Sequence, residues 1–126
     1  MKIIAIVQAR MGSTRLPNKV MKPINGKPMI ELLLARLSRS KEIDKIVVAT
    51  SIDKQNVPLK EKVIALGYTL EEGSENDVLD RYLKAARSNQ ADVVVRITGD
   101  CPLVDAKLVD KCINHFRIAK VDYLSN

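Results

Sequence analysis

Aromatic residues, cysteine and histidine are scarce in this chain of 126 residues. It has no tryptophan, one phenylalanine and three tyrosines, so aromatics make up only 3% of the residues. That is too few for the stacking surfaces on which proteins bind single-stranded nucleic acid. Cys101 and Cys112 form no CxxC pair, and His115 is the single histidine. We therefore expect two reduced thiols, with neither a structural zinc site nor a disulfide framework.

The sequence also lacks long apolar runs. No stretch approaches the roughly 20 residues that a membrane-spanning helix needs. The apolar start of the chain is interrupted by Gln8 and Arg10, which makes it too short for a secretory signal. We expect a cytoplasmic protein without a membrane partner. A length of 126 residues with 46% hydrophobic content predicts one domain spanning residues 1–126.

Acidic residues are missing from the start of the chain. Between Met1 and Ile30 there is no aspartate or glutamate, whereas the rest of the chain mixes both signs. The cations of this stretch are Lys2, Arg10, Arg15, Lys19, Lys22 and Lys27. A net charge of +6 is compatible with nucleic acid, an anionic surface or a phosphate substrate. Confinement of the cluster to one short segment favours a compact polyanion over a long duplex.

Apolar patterning alternates between strands and helices. Strands are predicted at residues 2–8, 45–50, 68–71, 92–97 and 121–125. Two helices are predicted at about residues 28–37 and 57–66. A third helix is predicted to follow an N-cap at Ser74, and a fourth to follow an N-cap at Asp105. Residues 11–27 are predicted to form a loop. The apolar stripe of the third helix is predicted to consist of Val78, Leu79, Tyr82, Leu83 and Ala86.

This alternation predicts an α/β domain with a doubly wound, mixed and mostly parallel sheet covered by helices on both faces. In such a sheet the fourth strand lies beside the first. The ligand crevice opens where the winding reverses, at the carboxyl ends of these two strands. Two chemically unusual loops, residues 8–19 and 98–105, should meet there.

The first of these loops is neither a Walker A loop nor a dinucleotide fingerprint, because it lacks both glycine patterns. It nevertheless contains what a triphosphate needs, namely a glycine for close backbone approach, hydroxyl groups and three cations. These residues are Gly12, Ser13, Thr14, Arg10, Arg15 and Lys19. A solvated basic loop is the alternative interpretation, but the combination of residue types directly after a buried strand favours phosphate binding.

The second loop carries two aspartates. Asp100 follows Gly99 at the predicted crevice, where a carboxylate facing a triphosphate would be a natural Mg²⁺ ligand. The alternative is that Asp100 only caps a turn. For Asp105 the helix-cap interpretation is stronger, because Pro102 and the apolar residues that follow suit a helix start.

Four segments together resemble a known family. They are QARMGSTRLPNKV at residues 8–20, GKPM at 26–29, DVLDRY at 77–82 and RITGDCP at 96–102. They are similar, in the same order, to the CMP-sugar synthetases, cytidylyltransferases that activate Kdo and neuraminic acids, and most closely to spore-coat polysaccharide proteins of the SpsF type. The resemblance spans essentially the whole chain and implies a nucleotide-diphospho-sugar transferase (Rossmann-like) domain.

The family is usually about twice as long, so the resemblance implies that these residues are the N-terminal half of a longer cytidylyltransferase. The other half would carry much of the sugar pocket, a further carboxylate for the metal and the dimer arm. A homodimer therefore remains open for the full-length form. Whether this chain is active alone, and which sugar it would activate, the sequence does not decide.

The resemblance also implies roles for individual residues. Gln8 would lie where the strand meets the nucleotide pocket, and Ala9 and Arg10 would begin the CTP-binding loop, which Gly12 and Ser13 support. Phosphate contacts would come from Arg10, Arg15 and Lys19, and the metal ligand would be Asp100. Arg81, with Asp77 near it, would fall in the segment that approaches the cytosine and ribose. The residues expected to act in catalysis are Arg15, Lys19 and Asp100.

The implied reaction moves CMP from CTP to a sugar acid and releases pyrophosphate, with Mg²⁺ as cofactor, in cell-surface or spore-coat polysaccharide biosynthesis. Three alternatives stay open. The chain could serve a UTP- or GTP-using sugar nucleotidyltransferase, or bind a nucleotide without activity. A nucleic-acid-binding module that uses the basic loop fits least, because the cluster is confined and aromatics are sparse.

Overall fold

The computed structural model describes residues 1–11, 19–74, 77–99 and 103–119. In chain order the elements are β1 (Ile3–Gln8), β2 (Pro23–Ile24), β3 (Lys27–Pro28), α1 (Met29–Leu37), β4 (Lys45–Ser51), α2 (Val57–Ala65), β5 (Thr69–Gly73), α3 (Val78–Ser88), β6 (Val93–Thr98) and α4 (Ala106–Ala119). Within these described residues the main sheet has four strands in the order β5-β4-β1-β6, and all of their pairs are parallel. The predicted α/β class is confirmed, and the strand order places the fourth predicted strand beside the first.

Strand β1 lies inside the sheet because its sequence, IIAIVQ, is apolar on both faces. Ile3 to Val7 are all completely buried, as is typical of a parallel strand covered on both sides. Gln8, its last residue, is aligned with Ala49 of β4 and Thr98 of β6. The three strands therefore end at the same edge of the sheet.

Helices cover both faces of the sheet, as predicted. On one face, Ala5, Val7 and Val48 belong to a core cluster with α1 and α2, and Val109 of α4 packs against it. On the other face, Ile4, Ile6 and Val47 pack with residues of α3. None of the helices in the described ranges is long and apolar enough to cross a bilayer.

A small hairpin interrupts the segment predicted as a loop. Strands β2 and β3 pair antiparallel across Asn25 and Gly26, whose φ angles are 53° and 83°. Both central residues have positive φ, as in the type I′ turns that Asn-Gly sequences favour. The prediction of a loop through residues 11–27 was therefore wrong at its end, because prolines beside the turn concealed a two-residue strand on each side.

Helix α3 differs from its prediction at both its cap and its buried face. Its N-cap is Asp77 and not Ser74, since the Asp77 carboxylate accepts a hydrogen bond from the Asp80 amide at 2.9 Å. Of the predicted stripe, Val78, Leu79 and Leu83 are exposed. The buried residues are Arg81, Tyr82 and Ala85. Arg81 packs closely against Gly73 of β5, and Tyr82, a member of the predicted stripe, packs with the strands of the sheet.

Helix α4 has the predicted cap. The Asp105 carboxylate accepts from the Lys107 amide at 2.9 Å. Cys112 is a half-buried free thiol on this helix. The strand predicted at residues 121–125 lies outside the described residues, and so does Cys101.

The carboxylate of Asp110 connects α4 by hydrogen bonds to the segment between α1 and β4. It accepts hydrogen bonds from the amides of Lys41 (3.0 Å) and Glu42 (3.2 Å) and from the Ser40 hydroxyl. Burial by itself would raise the pKa of this carboxyl. The two amides, the hydroxyl and the charge of Lys41 outweigh burial and hold the pKa below the usual value of 3.8.

We expect Asp110→Asn to lower the free energy of unfolding by about 1–2 kcal/mol at neutral pH, because charge-assisted hydrogen bonds are lost. Since the folded-state pKa is depressed, the contribution of Asp110 is present above the unfolded pKa and is lost as the pH falls through the folded value. Urea titrations at pH 7 and below pH 4 measure both effects. Glu61→Gln, which removes a charge from an exposed position of α2, is the control. An equal loss for the two variants at pH 7 would contradict the assignment.

Candidate functional site

Two chain segments meet at the carboxyl edge of the sheet, beyond β1 and β6. The Gly99 amide donates to the carbonyl of Gln8 at 2.8 Å, and the Ala9 amide donates to the carbonyl of Ala49 at 3.0 Å. The backbone after β1 is therefore hydrogen-bonded to the chain on both sides. This is the edge at which ligands bind in open α/β sheets.

Gly99 is required by the closeness of this contact. A Cβ atom at this position would lie 2.9 Å from both the Cβ of Ala9 and the carbonyl oxygen of Gln8. These separations are shorter than real Cβ atoms make, and the backbone oxygen cannot rotate away. The absence of a side chain at residue 99 therefore lets the chain after β6 touch the Gln8–Ala9 backbone after β1.

Asn56 is a site residue that the sequence analysis missed. It is completely buried, although it belongs to the short 3-10 turn Lys54–Asn56 between β4 and α2. Its Oδ1 accepts from the amide of Met11 at 2.7 Å, and its Nδ2 donates to the Ser51 hydroxyl at 2.6 Å. The sequence shows only an asparagine before a helix, which indicates an ordinary N-cap.

Three of the predicted nucleotide-binding residues lie at the end of β1 or directly after it. Gln8 is half-buried at the end of β1, Ala9 is buried, and Arg10 is exposed beside them. The structure thus brings this run next to Gly99. Lys19 begins the 3-10 turn Lys19–Met21, but its side chain lies outside the described part of the structure. Other residues predicted for the site in the two loops also lie outside it, namely Gly12, Ser13, Thr14, Arg15 and Asp100.

Asp77 and Arg81 both lie in or next to α3, on the opposite face of the sheet from α1. Asp77 is exposed and uses its carboxylate as the helix cap. Arg81 is only 1% exposed, and its side chain packs on Gly73 at the end of β5. A Cβ at residue 73 would lie 2.9 Å from Cγ of Arg81, so Gly73 makes room for the arginine stem.

A second arginine lies on the same face. The guanidinium carbon of Arg96 is 4.4 Å from the centre of the Tyr82 ring, a cation–π geometry. The Tyr82 hydroxyl donates a long hydrogen bond, 3.5 Å, to the Ile97 carbonyl. Because Arg96 is aligned with Ile6 in the β1–β6 register, this pair links α3 to the strand that leads into the Gly99 loop.

Within the described ranges, no three His, Cys, Asp or Glu side chains form a group that could hold a metal ion. The magnesium role of Asp100 therefore stays a prediction. A pocket of about 290 Å³ lies at the other edge of the sheet, where β4 and β5 begin. Its lining includes Ser38, Asp44, Lys45, Gly67 and Tyr68.

Known proteins share both the sequence and the fold of this chain. An uncharacterized protein of Methanocaldococcus jannaschii is 46% identical over 125 residues, covering 99% of this chain and 51% of that protein. The spore coat polysaccharide biosynthesis protein SpsF of Bacillus subtilis is 40% identical over 119 residues, covering 90% of this chain and 50% of SpsF. The chain spans about half the length of these relatives.

Two solved structures superpose closely. A cytidylyltransferase from Leptospira borgpetersenii has a TM-score of 0.89 at 39% identity, covering 94% of this chain and 50% of that one. A CMP:2-keto-3-deoxy-manno-octonic acid synthetase in complex with CTP has a TM-score of 0.85 at 26% identity, covering 96% of this chain and 49% of that one. The cytidylyltransferase family model matches residues 4–126, and this chain therefore belongs to the cytidylyltransferase family.

Proposed function

We propose that the protein transfers CMP from CTP to a hydroxyl group of a sugar acid, as a step toward a cell-surface polysaccharide. The sugar hydroxyl releases its proton to water as its oxygen forms a bond to the α-phosphorus, the bond from that phosphorus to the oxygen shared with the β-phosphate breaks, and pyrophosphate leaves. The contact between Gly99 and the Gln8–Ala9 segment carries the proposal, because it joins a cationic segment to one that carries an aspartate.

Membership of the family supports CTP as the nucleotide, and the name of the synthetase solved with CTP supports a sugar acid as the acceptor. The cations would hold the triphosphate. Arg10 is exposed immediately after the buried Ala9, where a guanidinium can form paired hydrogen bonds with phosphate oxygens. In this proposal Arg15 and Lys19 add contacts that stabilise charge on the departing pyrophosphate.

In this proposal a magnesium ion binds at this edge. Asp100 directly follows Gly99, which lies against Ala9, and one carboxylate combined with substrate phosphates is a typical donor set for Mg²⁺. When bound, the ion supplies positive charge to the phosphates. Asp100 would hold it, while Gln8 and Ala9 keep the backbone of the two segments together.

Calorimetric titration of the protein with CTP, UTP, GTP and a short DNA duplex, each with and without Mg²⁺, tests the function. We expect magnesium-dependent binding that favours CTP, followed by pyrophosphate release when sugar acids are added. A preference for UTP or GTP would point to a different sugar nucleotidyltransferase. Binding of DNA that weakens steeply with salt and needs no magnesium would overturn the proposal.

We expect Asp100→Asn to abolish the tightening of CTP binding by Mg²⁺ and to leave the melting temperature unchanged, because only the metal ligand is altered. Asp105→Asn is the matched control, since it changes the same kind of side chain five positions on, and asparagine caps a helix as well as aspartate does. Calorimetry with and without Mg²⁺ gives the result. An Asp100→Asn protein that still binds CTP more tightly with Mg²⁺ would refute the metal assignment.

We expect Gly99→Ala to weaken CTP binding and to cost about 1–3 kcal/mol of stability, because its Cβ pushes the two segments apart. Gly67→Ala is the control, since residue 67 has a φ of +87° and open space around it. The Gly67→Ala protein should lose about 1 kcal/mol through backbone strain and bind CTP normally. Melting curves and CTP titrations of both variants measure these effects. Equal CTP affinities of the two variants would refute the role of the contact between Gly99 and Ala9.

A further inference from the structure

We infer that Asn56 is a positioning residue, whose carboxamide sets the spacing between β4 and the backbone after β1 and so orients Arg10 for the nucleotide. The inference rests on the proposed function for its ligand. Its geometric part stands on contacts of Asn56 with Met11 and Ser51.

The hydrogen bonds between β1 and β4 show what the carboxamide replaces. The Ala9 amide donates to the Ala49 carbonyl, so a regular parallel ladder would next join the Met11 amide to the Ser51 carbonyl. Instead, the Met11 amide donates to Oδ1 of Asn56 at 2.7 Å, and Nδ2 of Asn56 lies 3.4 Å from the Ser51 carbonyl. The side chain thus lies between the two backbones like an inserted peptide group.

The side chain of Asn56 does not cap its own helix. Asn56 is the N-cap residue of α2, yet its side chain makes no hydrogen bond to the first turn of that helix. Asparagine is favoured at N-caps because its oxygen usually accepts such a bond. Here the oxygen is committed to Met11, which is far away in sequence, and the side chain is completely buried.

Arg10 lies between two residues, Ala9 and Met11, whose backbone amides are both hydrogen-bonded. On one side the Ala9 amide is bound to β4, and on the other the Met11 amide is bound to Asn56. Gly99 contacts Ala9 from the opposite side. The carboxamide therefore keeps β4 at a defined distance while Gly99 permits close approach of β6, and together they fix the backbone from which the Arg10 side chain extends.

Asn56→Ala, measured at a temperature where it is folded, tests this inference. We expect faster hydrogen exchange at the Met11 amide and CTP binding weaker by ~10-fold or more, because small displacements of binding groups have large effects. The matched control is Asn89→Ala. Asn89 is also buried and its carboxamide bonds Lys45 and the Ala85 carbonyl, both at 2.8 Å, where β4 begins at the other edge of the sheet.

Asn89→Ala should lower the melting temperature but keep the affinity for CTP within about twofold, because its contacts are remote from Arg10. Unchanged CTP affinity in Asn56→Ala, or an equal loss of affinity in both variants, would overturn the positioning role.

If the wild-type protein does not bind CTP, the proposed function fails. Hydrogen exchange at the Met11 amide then tests by itself whether Asn56 holds the backbone after β1. If Asn56→Ala does not fold, Asn56→Asp, which retains the acceptor, must keep Met11 protected, and loss of that protection would overturn the inference.

Discussion

The backbone of β1 forms hydrogen bonds on both of its sides, and the site depends on this constraint. β1 pairs with β4 and β6 in matching register, so that Gln8 faces Ala49 on one side and Thr98 on the other. Beyond Gln8 the same pattern continues through the amides of Ala9 and Gly99. The segment that begins the basic loop is therefore held by the sheet itself and not by loop contacts alone.

Gly99 and the buried carboxamide of Asn56 modify this regular hydrogen-bond pattern beyond the ends of the strands. Gly99 has no side chain, which permits the β6 segment to touch Ala9. On the other side, Asn56 replaces a direct backbone bond by a longer connection through its carboxamide. The chain after β1 is thus connected to β6 by direct backbone contact and to β4, at Met11, through a side chain.

Helix α3 shows how tertiary contacts override an apolar pattern. Its sequence offers Val78, Leu79 and Leu83 as a core stripe, but these side chains are exposed. The helix instead buries Arg81 against Gly73 and Tyr82 against the strands of the sheet. Periodicity predicted that a helix exists here. It predicted the buried face only in part, through Tyr82, because a buried arginine that packs on Gly73 is invisible to an apolar pattern.

The sequence by itself determined the α/β class, the position of the fourth predicted strand beside the first and the Asp105 cap, because buried β-branched runs and helix signals are local patterns. The family resemblance added residues predicted to bind the nucleotide, of which Gln8 and Ala9 contact Gly99 and Arg10 follows them. Only the tertiary structure decided the hairpin, the buried face of α3 and the role of Asn56. The face of α3 and the contacts of Asn56 depend on packing between separate elements, as between Asn56 and Met11 or between Arg81 and Gly73, which periodicity does not record. The hairpin is local, and its Asn25-Gly26 turn was a signal in the sequence that the analysis did not use.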